Sequence, residues 1–210
     1  PLLLLWLAFI AAARAFVLAP SGVTRAAARS ADATRTSSTR CALSVQPVEG
    51  LDAGVVLVAS KNDYGHFTMK SVALVFEYSM EASKAVVLDR GSPFTIGEMT
   101  SLDMGPLANN RLYRGGEDGG SAVVMIHMRG DLAGAQQIGD SDLFVGGLQA
   151  AKEAVASGQA QASEFKFFFN FMRWSPGGLE EQVEKGKWST IFLDKSAIMA
   201  QASNKDQELW

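Results

Sequence analysis

The 210-residue chain is long enough for one domain with an appendage, and its 48% hydrophobic and 20% charged content is that of an ordinary globular protein. The net charge of −3 conceals two unlike parts: residues 1–43 carry Arg14, Arg25, Arg29, Arg35 and Arg40 against Asp32 alone, while the remainder holds 14 basic and 21 acidic residues, a net of −7. A body that acidic argues against nucleic acid as a partner. The single cysteine, Cys41, lies in the basic leader, so the body has no thiol for disulfides, thiolate metal sites or a cysteine nucleophile.

The leader reads as an address. Leu2 to Ala13 is an apolar run too short for a bilayer core, which needs about 20 residues. It has the length of a signal-peptide core, and Ala13-Arg14-Ala15 supplies small residues for a cleavage site. Residues 16–43 are rich in Ala, Ser, Thr and Arg, the composition of a transit peptide. The junction Ala15-Phe16-Val17-Leu18-Ala19-Pro20 resembles the two-stage presequences of algae with secondary plastids. The expectation is a signal peptide over 1–15, a plastid transit peptide over 16–43 and one domain over 44–210. The alternative is an N-terminal anchor helix followed by a linker.

In the body, Gly54 to Ser60 is a short β-branched run bounded by polar residues, which predicts a buried strand. A turn over Lys61 to Gly65 leads to a second strand over Ser71 to Tyr78 and a third over Ala85 to Leu88, closed by Asp89 to Pro93. Residues 97–111 read as a surface excursion around a short helix. Leu112-Tyr113-Arg114 runs into Gly115-Gly116, and Ser121 to Met128 is a further strand. Residues 138–145 begin as a turn and end apolar. Helical spacing over Gly147 to Ser157 aligns Leu148, Ala151 and Val155, with Gly158 as the stop. Phe165, Phe167, Phe169 and Phe171 recur at period two and are expected on one face of a central strand. Ser175 to Gly178 is a turn, Leu179 to Lys185 a short acidic helix, Thr190 to Leu193 a last strand, and the rest a polar tail. Strands without regular βαβ alternation predict an α+β fold with a mixed sheet and few helices.

The order of these pieces resembles the YqgE/AlgH family. The residues carrying the resemblance are Leu57-Val58-Ala59-Ser60, then Asp63, Phe67, Ser71 and Val72, the Gly115-Gly116 pair, and Ile126-His127. The most specific block is Arg173-Trp174-Ser175-Pro176-Gly177-Gly178-Leu179-Glu180-Glu181 followed by Trp188. The resemblance spans about 54–193 and implies a single domain with a partly barrel-like sheet. Several positions depart from the family pattern: Lys61 and Glu117 replace prolines, Gly178 a glutamine and Asn170 a glycine, and Leu88-Asp89-Arg90-Gly91 stands for an LNRP-like stretch.

No reactive constellation stands out. His66 and His127 are 61 positions apart with no metal-ligand spacing, and the sequence has no GxSxG elbow. Gly115 to Gly120 lacks the Lys-Ser/Thr of a phosphate loop and precedes a strand. The expectation is a non-enzymatic plastid protein without a cofactor. It would bind protein partners as an accessory or assembly subunit of a thylakoid complex such as photosystem I, from the stroma or the stromal face, with no transmembrane helix in the mature chain. The alternative is a small-molecule-binding regulator or weak hydrolase with a pocket near His127 and Gly115-Gly116. The motif residues to follow are Phe67, Gly115, Gly116, His127, Trp174, Pro176, Gly177, Leu179, Glu180 and Trp188.

Overall fold

The central strands are apolar on both alternating faces, so each must be covered on both sides. The computed structural model describes residues 45–48 and 50–200. The two expected presequence segments, 1–15 and 16–43, and residues 201–210 of the expected tail lie outside them. The strands are β1 (Val45–Pro47), β2 (Val56–Ala59), β3 (Val72–Tyr78), β4 (Ser83–Val87), β5 (Gly91–Thr95) and β6 (Arg111–Arg114), then β7 (Asp118–His127), β8 (Ala135–Gln137), β9 (Phe144–Gly146), β10 (Lys166–Trp174) and β11 (Trp188–Leu193). The helices are α1 (Ile96–Met99), α2 (Leu148–Ala156), α3 (Gly178–Glu184) and α4 (Lys195–Met199).

All eleven strands join one sheet in the order β1-β11-β2-β3-β4-β10-β7-β9-β8, with β5 and β6 branching from β10. The sheet does not close on itself, and with its few helices the fold is α+β. Strand β10 is the hub. Its first half lies between β6, the parallel neighbour, and β7, while its last residues pair with β4.

Alternation along the strands divides the interior. Val56, Leu74, Val86, Tyr113, Ile126 and Phe168 share one face. The other face carries two separate clusters: Leu57, Ala73, Val87, Met172 and Trp174 under α3, and Leu112, Met125, Phe165 and Phe167 under α2.

Five expectations change. The stretch expected to close the third strand, Asp89 to Pro93, instead runs into β5 at Gly91; its Pro93 is tolerated because β5 is an edge strand paired with β6 alone. The excursion over 97–111 is anchored in the core by Met104 and Leu107. Phe171 leaves the face of Phe165, Phe167 and Phe169 and packs with Phe168 instead. A bulge around Asn170, whose φ is +60°, breaks the ladder with β7, where Phe169 pairs with Val123 but Phe171 with Asp118, and the alternation inverts beyond it. The stretch read as the start of the polar tail forms α4, with Ile198 and Met199 buried. Ahead of the first expected strand, β1 already pairs with β11.

Candidate functional site

Gly115 and Gly116 carry the chain from β6 to β7 directly across β10, which sits between those two strands. A Cβ on Gly116 would fall well inside 3.0 Å of the backbone of Phe171 and Met172, and one on Gly115 would meet the carbonyl oxygen of Asn170. The pair is glycine because backbone touches backbone there. The crossing is fixed by two bonds: Gly115 N–H donates to the Phe169 carbonyl and Val87 N–H to the Gly115 carbonyl, both at 2.9 Å. Asn170 is left-handed, a conformation asparagine tolerates, and its Oδ1 accepts the Ser121 N–H at 3.0 Å.

Beside this crossing, the loop before β3 tucks Phe67 into the core under α3. Ser71 Oγ donates to the Phe67 carbonyl at 3.0 Å, and Arg90 donates to the Met69 carbonyl at 2.6 Å. The Arg114 guanidinium lies 4.9 Å from the Phe67 ring centre and pairs with Glu117 at 3.2 Å.

The C-terminal motif block builds the rest of this core. Gly177 adopts φ +74° ahead of α3, following the exposed Pro176, and Leu179 is buried. Trp174 and Trp188 meet edge to face, and both indole N–H groups donate to Gln182 Oε1, at 3.0 and 2.9 Å. Tyr78 donates its hydroxyl to Glu180 at 2.6 Å, and this bond raises the phenol's pKa. Thus Phe67, Trp174, Leu179 and Trp188 occupy one cluster, with Glu180 bonded at its edge.

His127 stands elsewhere. It is 0% exposed, lies against Phe144 and Phe165, and both ring nitrogens are committed. Nδ1 accepts from Arg129 N–H at 3.1 Å, which makes Nε2 the donor to the Gly146 carbonyl at 3.1 Å. Burial holds its pKa below the usual value, as suits a neutral imidazole tying β7 to β9. Neighbouring Asp131 is held down to about 2 by Arg129. His127 contacts Phe165 while Gly116 meets Phe171; six residues of strand separate them by roughly 20 Å, so the two do not line one pocket. His66 is exposed. Among the described residues no group of three or more His, Cys, Asp or Glu is placed to hold a metal, and no helix is long and apolar enough to cross a membrane.

One buried lysine escaped the sequence reading. Lys166, 2% exposed, projects from β10 between phenylalanines. Its Nζ donates to the carbonyls of Ile198 (3.0 Å) and Ala200 (2.9 Å) and lies 4.5 Å from the Tyr113 ring centre. Burial pushes its pKa down to about 8, opposed by the Asp89 carboxylate. A lysine inside an aromatic run is the only sequence signal that could have marked it.

A family model described as AlgH-like matches residues 56–210. A UPF0301 protein of Pelodictyon phaeoclathratiforme is 30% identical over 159 residues, covering 75% of this chain and 84% of the relative. A UPF0301 protein of Chlorobaculum parvum is 31% identical over 164 residues, covering 77% and 84%. Among solved structures, protein DIP2367 of Corynebacterium diphtheriae superposes with a TM-score of 0.63 at 22% identity, over 74% of this chain and 83% of that one. The AlgH protein of Pseudomonas aeruginosa gives 0.56 at 17%, over 70% and 79%. At these identities the structural likeness establishes the fold alone.

Proposed function

The chain belongs to the AlgH-like family, and from that premise we propose that this member is a non-catalytic interaction protein of the plastid, an accessory or assembly subunit docked on a thylakoid complex such as photosystem I. The observation that carries the reading is the fate of the motif residues. Gly115 and Gly116 serve a backbone crossing, the two tryptophans share one amide oxygen, and His127 spends both nitrogens inside the fold. Side chains so committed are poor candidates for binding or transforming a substrate. The basic leader supports the plastid, and the acidic body supports a partner with a basic docking face.

Native fractionation of thylakoids, followed by mass spectrometry of whatever copurifies, tests this proposal. Comigration with a membrane complex is the expected result; a free stromal monomer would overturn it. A thermal-shift screen of the full chain against a broad metabolite panel addresses the small-molecule alternative. A specific ligand at saturation would add a few kcal/mol of stability, about 2.7 at a hundredfold excess over Kd, and no shift is expected.

A further inference from the structure

Helix α4 spans five residues, too few to persist without tertiary support. Ile198 and Met199 bury in the first core, and Lys195 reaches Asp142 at 2.5 Å. The Lys166 ammonium takes the carbonyls of Ile198 and Ala200. The helix also borders empty space: a cavity of about 210 Å³ lined in part by Leu143, Phe192, Leu193, Asp194, Lys195 and Ile198. Among the described residues its attachment is therefore a few apolar contacts and two lysine ties beside this cavity.

We propose that α4 is a releasable strap clamped by Lys166, whose opening joins this cavity to the apolar floor beneath the helix. Among the ties the clamp is the one that water would solvate better. Closed, the ammonium is buried against Tyr113 and supported at a distance by Asp89. Open, it returns to water with the ordinary lysine value of 10.5. On the strap side the neighbouring charged groups are Asp194 and Lys195, the latter tied to Asp142.

The direction of the pH response follows from these two states. The closed value is about 8, so between about 8 and 10.5 the open state binds more protons, and raising the pH favours closure. Below pH 8 both states are protonated and opening is independent of pH. The neutral amine keeps two N–H donors for the two carbonyls, so the strap tightens without losing its bonds. The inference is independent of the plastid reading, since it concerns only the described residues.

The test uses the full chain carrying Cys41→Ser and Ile198→Cys, a position 2% exposed in the closed strap, with and without Lys166→Met. The alkylation rate of the thiol at 198, divided by the rate for the urea-unfolded chain at the same pH, gives the opening constant. With Lys166 present it should be flat up to pH 8 and then fall, approaching tenfold per pH unit. Its urea dependence should be shallower than that of global unfolding, marking a local event. Lys166→Met should abolish the fall. A urea slope equal to that of global unfolding, a flat profile in the parent, or the same fall without Lys166 would each overturn the proposal. If the methionine variant does not fold, the slope and profile of the parent decide.

Discussion

Replacing Gly116 by alanine adds one methyl group where β6 crosses to β7 over β10. The methyl would meet the carbonyl carbon and oxygen of Phe171 and the nitrogen of Met172, none of which can rotate aside. Relief requires moving β10 by on the order of 1 Å, against a close-packed core and two flanking strands. The two hydrogen bonds of Gly115 that hold the crossing are each worth about 1 kcal/mol, and overpacking adds about 1–3 kcal/mol. The expected loss is roughly 3–5 kcal/mol, or a fall in Tm of about 6–20 °C for a domain of this size. Gly120→Ala is the internal control. Gly120 sits near the start of β7 at φ +56° with nothing within 4 Å of a new Cβ, so only the left-handed penalty of about 1–2 kcal/mol applies. Urea unfolding of the full chain followed by tryptophan fluorescence measures both. If Gly116→Ala costs no more than Gly120→Ala, the backbone-crossing account of the glycine pair is wrong.

Gln182→Leu should cost about 2–4 kcal/mol, because two part-buried indole N–H groups lose their shared acceptor; Gln182→Glu, which keeps an acceptor, should cost less in the same urea titration. His127 has its folded pKa lowered below 6.5 by burial, so the unfolded chain binds the proton more readily. Its contribution is complete above pH 6.5 and is lost as the pH falls towards the folded value, by at most about 1.4 kcal/mol per unit. Chemical denaturation at pH 7.5 and pH 5 should therefore show a shallower acid loss in His127→Gln. Asn170→Gly exchanges left-handed strain for the lost Ser121 bond and should stay within about 0.5 kcal/mol of the parent. Asn170→Val, β-branched at positive φ, should lose about 1–3 kcal/mol; equal thermal shifts for the two would contradict the bulge geometry.

The sequence was most readable where a pattern depends on local chemistry alone. A continuous apolar run located β3, alternating phenylalanines located the first half of β10, and Gly158 at φ +75° ends α2 as the spacing required. It failed where a distant strand decides. The inversion at Asn170 follows from the Gly115-Gly116 crossing overhead, which no window around residue 170 reveals. Strand β5 carries Pro93 and pairs with β6 around an irregular register, so neither its composition nor its alternation resembles a strand. Helix α4 depends on the buried contacts of Ile198 and Met199 and on a lysine some thirty residues upstream, rather than on its own propensity. The motif was legible as a pattern but not as a place. Only the fold shows that Phe67, Trp174, Leu179 and Trp188 meet, and that His127 does not join them.

The departures from the pattern that the sequence resembles fall at structurally different places. Glu117 takes a proline position on the exposed side of the crossing and pairs with Arg114. Asn170 keeps a left-handed conformation and adds a side-chain bond to Ser121. Lys61 is exposed at a turn. These three changes fall at exposed, turn or bulge positions, whereas the altered Leu88 to Gly91 stretch places Leu88 in the core and Arg90 on the Met69 carbonyl. The positions that match instead include the two indoles, Leu179, Phe67 and the crossing glycines, where side-chain volume or its absence is fixed by contact. A signature built this way reports the scaffold and leaves the surface free to diverge. Helix α4 and its neighbouring cavity lie outside those motif residues, so the signature neither explains nor constrains them.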